Sequence, residues 1–317
     1  MKPVVCIMGP TATGKTELAI ELASRVDAEI ISVDSAMVYK GMDIGTAKPG
    51  RDVVARVPHH LIDIRDPAES YSAGDFRRDA MTLMDEITAA GRLPLLVGGT
   101  MLYFRVLQGG LAELPAADPA LREAIDRRAA EHSWPSMHRE LERVDPEAAA
   151  RIHVNDPQRI QRALEVFYQS GKPISVLQRE GRMAPAEYRF TRIALIPENR
   201  SLLHGTIEKR FGEMIRVGFV DEVRRLHARE DLHRELPSMR AVGYRQLWDY
   251  LSGRLSMDEA QRQAVVATRR LAKRQMTWLR GEEGLTCFDS LAENRDARVF
   301  KCLQRELDMA LPNQSLC

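Results

Sequence analysis

The sequence predicts an α/β protein: a parallel sheet flanked by helices, with an all-helical insertion and a helical C-terminal part. In the first third of the chain, short apolar runs alternate with segments of helical periodicity, a pattern typical of parallel strands joined by right-handed crossovers. From Ala120 to about Tyr188 only helical patterns and loops occur, and one more apolar strand follows. The predicted core therefore comprises residues 1–114 and 189–317, and the predicted insertion residues 115–188.

A phosphate-binding loop lies between the first predicted strand, residues 4–8, and a helix predicted over residues 17–26. The loop fits G-x-x-x-x-G-K-[ST] at every fixed position: Gly9, Pro10, Thr11, Ala12, Thr13, Gly14, Lys15 and Thr16. Backbone N–H groups and a helix N-terminus form a cradle for anionic oxygens, and Lys15 adds a positive charge. Thr16 places a hydroxyl where a phosphate-bound Mg²⁺ would lie. The strand–loop–helix context predicts a P-loop NTPase-like core, but the loop specifies phosphate or diphosphate rather than ATP.

Three further strands and one helix complete the predicted first part of the sheet. Residues 29–33 form the second strand, residues 60–64 the third and residues 93–97 the fourth. A helix is predicted over residues 76–90, because its apolar side chains fall on one face.

The insertion and the C-terminal part are predicted to be helical apart from one strand. Asp156 and Pro157 are typical of a helix start, and Gly171 ends the helix predicted over residues 158–169. Residues 190–196 form the predicted last strand, and we expect only helices after it.

Polar side chains follow two of the predicted strands. Asp34 comes directly after the second strand, and Thr100 follows Gly98 and Gly99 after the fourth. Functional residues of parallel sheets lie beyond the carboxyl ends of the strands. Asp34 either caps a helix or accepts a proton beside the phosphate loop, and Thr100 either caps a turn or donates a hydrogen bond to a diphosphate oxygen.

The fourth strand does not end in the acidic residue that a Walker-B-type NTPase uses to hold Mg²⁺. Asp63 and Asp66, after the third strand, are the only obvious substitutes. The sequence therefore weakens the hypothesis of a simple ATPase.

Charge is unevenly distributed along the 317 residues, although the net charge is only +1. Residues 200–280 contain 17 Lys or Arg against 10 Asp or Glu. A helix predicted over residues 265–280 carries five basic side chains, Arg269, Arg270, Lys273, Arg274 and Arg280, with no acid from Ala260 to Gly281. A solvated helix face is the usual explanation of such a run, but its length favours binding to a nucleic-acid backbone.

The cysteines and the hydropathy indicate the compartment. Four scattered cysteines form no C-x-x-C pair, so we expect neither disulfides nor a zinc site. No stretch has the length and apolarity of a membrane span, and the first strand begins too early to leave room for a signal peptide. We expect a cytoplasmic protein without membrane contact, and nothing demands a partner chain, which favours a monomer.

Several segments together resemble the tRNA dimethylallyltransferases, also called tRNA isopentenyltransferases. The segments are the phosphate loop, Asp34-Ser35 with residues 39–49 (YKGMDIGTAKP), residues 98–103 (GGTMLY), residues 241–246 (AVGYRQ) and residues 268–280. The resemblance spans nearly the whole chain, and residues 43–49 and 243–246 are its most specific parts. No Cys/His tail is present, so the chain resembles the bacterial form of the family.

The resemblance implies an activity and a set of catalytic residues. Such enzymes transfer a dimethylallyl group from dimethylallyl diphosphate to the exocyclic N6 amine of the adenine just 3′ of a tRNA anticodon, releasing diphosphate. The phosphate loop would hold that leaving group, with Mg²⁺ assisting and Thr16 near the metal. Lys15 would stabilise the departing charge, Thr100 would bind diphosphate oxygens and Asp34 would accept the amine proton.

The resemblance also implies contacts with the tRNA anticodon stem-loop. The target adenine must leave its stack to react, and residues 34–37 are expected to touch it. Many relatives carry Gln where this chain has Met37. The implied contact residues are Asp34, Ser35, Ala36, Met37, Thr100, Arg122, Gln158, Arg159, Ile160, Gln161, Arg162, Arg240, Gly243, Tyr244, Arg245, Arg269, Lys273 and Arg274.

Three other hypotheses fit part of the sequence. A small-molecule or nucleoside kinase shares the fold and the loop, and would bind ATP tightly. A prenyltransferase acting on free adenine nucleotides shares the donor, but a mononucleotide needs no basic C-terminal surface. A non-catalytic RNA-binding protein needs neither the intact phosphate loop nor Asp34.

Overall fold

The computed structural model describes residues 1–109, 114–180 and 187–310, the last three of these by backbone alone. The chain divides into two compact units, which we call the core unit (Met1–Gln108 with Glu187–Cys317) and the insertion unit (Gly109–Ala186). The sequence prediction set the insertion at residues 115–188, six and two residues away from these boundaries. Residues 181–186 of the predicted insertion lie outside the described part.

The core unit contains a parallel sheet of six strands in the described residues. The strands are β1 (Lys2–Met8), β2 (Ala28–Val33), β3 (His59–His60), β4 (Leu93–Gly98), β5 (Tyr188–Ile196) and β6 (Thr286–Asp289). Their order across the sheet is β3-β2-β4-β1-β5-β6, and every pairing is parallel. The predicted parallel sheet is confirmed, with β1 near its centre.

Fourteen helices flank the sheet or build the insertion unit within the described residues. They are α1 (Lys15–Arg25), α2 (Arg51–Arg56), α3 (Ala73–Ala89), α4 (Met101–Gly109), α5 (Pro119–His132), α6 (Trp134–Val144), α7 (Pro146–Arg151), α8 (Pro157–Ser170), α9 (Ile174–Glu180), α10 (Arg200–Arg216), α11 (Phe219–His227), α12 (Tyr244–Leu251), α13 (Met257–Arg280) and α14 (Arg295–Ala310). No helix of the described segments combines the length and apolarity needed to cross a bilayer.

The central strands are mostly apolar because helices cover both faces of the sheet, and β2 also buries Glu29 and Ser32. Every residue of β2 and β4 is buried, as are the last five of β1. One apolar cluster joins α1, through Leu18 and Leu22, to α14, through Val299 and Leu303. Each fully buried side chain of this kind stabilises the fold by about 1.5–3 kcal/mol. The C-terminal helix thus completes the layer that supports the phosphate loop.

Two strand predictions were wrong. The third strand was predicted over residues 60–64, but β3 ends at His60, since Leu61 and Asp63 adopt positive φ angles of 61° and 55°. The N–H of Asp63 donates to Met37 O, so this segment packs on the turn after β2 instead of extending beside it. We also expected only helices after residues 190–196, but β6 pairs with β5 at the sheet edge.

The helix predicted over residues 265–280 begins eight residues earlier, at Met257. Ser256 caps α13 by accepting a hydrogen bond from the N–H of Glu259 at 3.2 Å. Ser-x-x-Glu before an apolar run is a recognised start pattern, so the sequence contained this information.

The insertion unit is a bundle of the helices α5 to α9 with its own apolar cluster. Ile125, Leu141, Ile160 and Leu164 are almost fully buried there. Asp156 caps α8 by accepting from the N–H of Arg159, as predicted, and Gly171 ends the helix at φ 67°.

Candidate active site at the carboxyl edge of the sheet

Strand register brings three segments to one edge of the sheet. Met8 of β1 and Val33 of β2 both pair with Gly98 of β4. The phosphate loop, Asp34 and Thr100 therefore leave the sheet at the same level, as the sequence predicted. Gly98 has to be glycine, because a Cβ at that position would overlap the backbone of Val33.

The phosphate loop forms an open cradle of N–H groups. Gly14 lies at φ 75° at the start of α1, and no side chain caps that helix. Within the described part of the chain, the N–H groups of residues 12–16 have no hydrogen-bond acceptor. The Thr13 hydroxyl and the Lys15 ammonium donate to Pro10 O at 2.8 and 2.6 Å and close the turn. An anion is the partner that such a concave set of donors at a helix N-terminus fits.

Arg295, the first residue of α14, hydrogen-bonds to the phosphate loop. Its Nη1 donates to Thr13 O at 3.2 Å and to Ser290 O at 3.1 Å. Its guanidinium also packs against the α-carbon of Gly14, where an added Cβ would lie 2.6 Å from Nη1. Sequence reasoning did not identify Arg295, because it lies 281 positions after Gly14 and carries no motif.

Lys15 lies in an electrostatic network with three other charged side chains, Asp34, Arg210 and Glu17. Burial lowers the pKa of Lys15 from 10.5 to about 8, while the Asp34 carboxylate opposes this shift and Arg210 adds to it. Burial likewise lowers the pKa of Arg210 on α10, against the charges of Glu17 and Asp34. Two cations and two carboxylates therefore lie within electrostatic reach of one another beside the cradle. Arg210 was missed by sequence reasoning because it stands in an ordinary charged helix.

Asp34 fulfils the capping role with only one of its oxygens. Oδ1 accepts from the N–H groups of Ala36 and Met37 at 2.8 and 3.3 Å, and so caps a turn rather than a helix. Its second oxygen, Oδ2, has no partner among the described residues. The carboxylate is half-buried, with one oxygen fixed and the other available to take a proton.

Thr100 is held beside Asp34. The N–H of Ser35 donates to Thr100 Oγ1 at 3.1 Å, which links the turn after β2 to the end of β4. Met37, another implied contact residue in this turn, accepts a hydrogen bond from the Ser32 hydroxyl through its sulfur at 3.6 Å.

A side chain from a distant helix joins the phosphate loop to the Thr100 segment. Gln275 of α13 accepts from the N–H of Thr11 at 3.0 Å and donates to Gly99 O at 2.8 Å. Gln275 was also missed, since we attributed function in that helix only to its basic side chains.

The two most specific segments of the resemblance meet at a buried carboxylate. Glu222 accepts from the N–H groups of Asp43, Ile44 and Gly45 at 2.9, 2.8 and 3.2 Å, and from the Tyr244 hydroxyl at 2.6 Å. Tyr244 is fully buried, so the structure gives its side chain a packing role, and its contact with tRNA stays a prediction.

The glycine before Tyr244 is also constrained by packing. Gly243 adopts φ 92°, and an added Cβ would lie 2.8 Å from Phe219. Its neighbours are more accessible: Arg245 is half-buried, and Arg240 is exposed beside Glu235.

In the insertion unit, two of the implied contact arginines bind a buried glutamate. Arg122 and Arg162 donate to Glu165 at 2.9 and 2.6 Å, and the Glu165 side chain is fully buried. Ile160 is fully buried in the apolar cluster, so its side chain packs there, and its contact with tRNA stays a prediction. Gln161 is half-buried and donates to Asp126 at 2.6 Å.

Other predicted contact residues are exposed. Gln158 and Arg159 are exposed at the start of α8. On α13, Lys273 and Arg274 are exposed, whereas Arg269 is half-buried and paired with Glu208 at 2.8 Å.

The two carboxylates that we considered as substitutes for a Walker-B acid are engaged in ion pairs. Asp63 pairs with Lys48, and Asp66 forms a bidentate pair with Arg229 at 2.9 and 2.7 Å. Within the described segments, no group of three or more His, Cys, Asp or Glu side chains is arranged to hold a metal ion.

Comparison with known proteins gives a consistent result. A model of the IPP transferase family matches residues 37–282, and a model of isopentenyl transferase matches residues 2–68. The tRNA isopentenylpyrophosphate transferase of Bacillus halodurans is 36% identical over 98% of both chains, with a TM-score of 0.72. The tRNA delta(2)-isopentenylpyrophosphate transferase of Staphylococcus epidermidis is 30% identical over 96% of this chain and 100% of its own, with a TM-score of 0.69.

A more distant structure shares the fold. A eukaryotic dimethylallyltransferase acting on tRNA is 23% identical over 99% of this chain and 82% of its own, with a TM-score of 0.82. The family match covers well over half of the described protein, and the two bacterial structures match it almost end to end. The chain therefore belongs to the IPP transferase family, the tRNA isopentenyl or dimethylallyl transferases.

Proposed function

We propose that this protein transfers a dimethylallyl group from dimethylallyl diphosphate to the N6 amine of the adenine 3′-adjacent to the anticodon of tRNAs. One observation supports the proposal above all others: a cradle of N–H groups and the Asp34 carboxylate lie at the same sheet edge, each with bonding capacity that no described residue takes up. A kinase would also use the cradle and a proton acceptor, but it would need an acid for Mg²⁺, and β4 does not end in one.

The phosphate loop binds the leaving group of the reaction. As the bond between the allylic carbon and its oxygen breaks, the electron pair goes to the diphosphate. The N–H groups of residues 12–16, together with Lys15 and Arg210, are placed to stabilise that developing charge. These donors are fixed before reaction, so little free energy is spent on reorganising them.

The residues present fit a Mg²⁺ ion that is held mainly by the substrate. Thr16 is half-buried at the second position of α1, and its hydroxyl has no partner among the described residues. Mg²⁺ favours phosphate oxygens and water with one or two protein ligands, so Thr16 would be its protein ligand. When bound, the ion would supply additional charge stabilisation to the diphosphate.

Asp34 accepts the proton that the nucleophile loses. The exocyclic amine of adenine is a weak nucleophile, because its lone pair is delocalised into the ring. As the bond from nitrogen to the allylic carbon forms, Asp34 Oδ2 takes the N6 proton while Oδ1 remains fixed by Ala36 and Met37. Thr100, held by Ser35, lies between this carboxylate and the loop and binds a diphosphate oxygen.

We assign the RNA contacts to the exposed part of the implied set. Lys273, Arg274, Arg159 and Gln158 are exposed and present charge or amide groups to a phosphate backbone. We further propose that the protein acts as a monomer in the cytoplasm, a reducing compartment in which thiols such as Cys6 and Cys302 stay free.

The experiment is a transfer assay with labelled dimethylallyl diphosphate, Mg²⁺ and an unmodified anticodon stem-loop whose anticodon is followed by adenine. We expect label in the RNA, and a stem-loop with guanine at that position serves as the control. Label appearing preferentially in free AMP would replace the tRNA substrate with a mononucleotide. Micromolar ATP binding without any affinity for dimethylallyl diphosphate would replace the proposal with a kinase.

A further inference from the structure

We propose that Gln275 is a positioning residue that sets the distance between the diphosphate cradle and the strand end that carries Thr100. Its side chain bridges the two segments directly, accepting from the N–H of Thr11 and donating to Gly99 O. This inference rests on the proposed function for its kinetic consequences, but not for its consequence on anion binding.

The orientation of the Gln275 amide follows from its partners. A backbone N–H only donates and a backbone carbonyl only accepts, so Oε1 must face Thr11 and Nε2 must face Gly99. The contact is also tight, because an added Cβ on Gly99 would overlap Gln275 Nε2 and lie 3.2 Å from Gly9 O. The loop, the end of β4 and α13 therefore meet at one point.

The bridge also selects which amides face an anion. The N–H of Thr11 is engaged by Gln275 and is withdrawn from the cradle, whereas those of residues 12–16 are not. Gln275 thus fixes the first turn of the loop with its remaining donors directed inward.

Geometry explains why this distance matters for the reaction. The attacking nitrogen, the allylic carbon and the departing oxygen must lie nearly in line, with Asp34 at one end and the cradle at the other. A misplacement of about 1 Å can cost about a hundredfold in rate. Gln275 joins the cradle to Gly99, and Thr100 next to it binds the N–H of Ser35, the residue after Asp34. Loss of this bridge should therefore affect turnover more than substrate affinity.

The test compares Gln275→Met with Gln263→Met. Methionine retains the length of the side chain but removes both hydrogen bonds. Gln263 is exposed on the same helix, and its side-chain hydrogen bond in the described part of the chain goes to Glu259. We expect Gln275→Met to lower kcat about tenfold to a hundredfold with a smaller change in KM for the donor. Gln263→Met should match the wild type in both, and the Tm values of the two variants should be similar.

A second variant separates the two hydrogen bonds. Gln275→Glu keeps an acceptor for Thr11 but loses the donor to Gly99 O, so it should also lower kcat. If either variant unfolds, the other carries the test. Wild-type kcat in a folded Gln275 variant, or a Tm loss without a kcat loss, would overturn the proposal.

Binding of inorganic pyrophosphate, measured by titration calorimetry, keeps the inference separate from the proposed function. If the wild type binds pyrophosphate but transfers no prenyl group, the proposed function fails. Weaker pyrophosphate binding by Gln275→Met would then still support the positioning role, and unchanged binding would overturn it.

Discussion

The sheet edge of the core unit and the arginine–glutamate centre of the insertion unit (Arg122, Arg162 and Glu165) both concentrate charge, but they use it differently. In the centre, Glu165 accepts hydrogen bonds from both arginines and from the N–H of Asp118, so its capacity is filled. At the sheet edge, the N–H groups of residues 12–16 and one oxygen of Asp34 remain without partners among the described residues. Charge alone does not mark a ligand site, whereas unfilled bonding capacity beside charge does.

The strongest test of the sheet edge is Asp34→Asn. Asparagine keeps an oxygen that can accept from Ala36 and Met37, so the turn should persist and Tm should stay near that of the wild type. The proton acceptor is lost, and we expect the single-turnover transfer rate to fall about 10²- to 10⁴-fold. Asp34→Ala, which also removes the cap, should lose both rate and Tm. A near-normal rate in Asp34→Asn would remove Asp34 as the base.

The next largest effect concerns Lys15 and pH. Burial lowers the pKa of Lys15 to about 8, so raising the pH from 7 to 9 should remove its charge in the free protein. Pyrophosphate affinity, measured by calorimetry, should therefore fall over this range relative to Lys15→Arg, whose guanidinium stays charged. Lys15→Met should reduce the transfer rate about 10²- to 10³-fold. Parallel pH profiles for the wild type and Lys15→Arg would contradict this interpretation.

Local sequence patterns predicted the parts of the fold and site that local chemistry determines. The phosphate loop, the strand ends at Asp34 and Thr100, and the start and end of α8 follow from motifs only a few residues long. β3 could not be predicted, because two non-glycine residues with positive φ redirect an apolar run that otherwise resembles a strand. β6 has one buried side chain, Phe288, and is a strand only because β5 lies beside it.

The predicted site was incomplete because part of it depends on contacts between residues that are far apart in the sequence. Gln275 and Arg295 reach the phosphate loop from more than 260 positions away, and only the packing of α13 and α14 shows that they do. Tyr244 and Ile160 were assigned to tRNA by resemblance, and the structure shows both side chains buried in packing. A family pattern retains residues for packing as well as for chemistry, and sequence alone does not separate the two.

Removing the charge of Glu165 tests the arginine–glutamate centre, the second region of the comparison. Burial opposes ionisation, but the hydrogen bonds from Arg122 and Arg162 outweigh it and hold the pKa of Glu165 below 4.5. The charged form therefore stabilises the folded state above about pH 4.5, and this contribution is lost as the pH falls through the folded-state pKa. Glu165→Gln should cost about 3 kcal/mol at neutral pH, because both arginines lose their partner.

Hydrogen exchange of the amides in α5 and α8 measures that loss locally. Protection should fall in Glu165→Gln at pH 7, and the difference from the wild type should shrink as the pH approaches 4. Glu140→Gln is a control in the same unit, because its carboxylate is only half-buried and pairs with the exposed Arg128 and with Tyr168. Equal loss of protection in both variants would mean that the arginine–glutamate centre has no special role.

The smallest expected effect compares basic side chains that are exposed to RNA with basic side chains that are paired with a carboxylate. Lys273 and Arg274 are exposed on α13, so replacing both with Ala should reduce the slope of log affinity against log salt by about 2. Arg122→Ala should change that slope less, since the Arg122 guanidinium already donates two hydrogen bonds to Glu165. Arg269→Ala should fall between them, because Arg269 is shared with Glu208. The slope counts phosphate contacts rather than positive charges, so an equal decrease for Arg122 and for Lys273 would contradict the distinction between filled and unfilled bonding capacity.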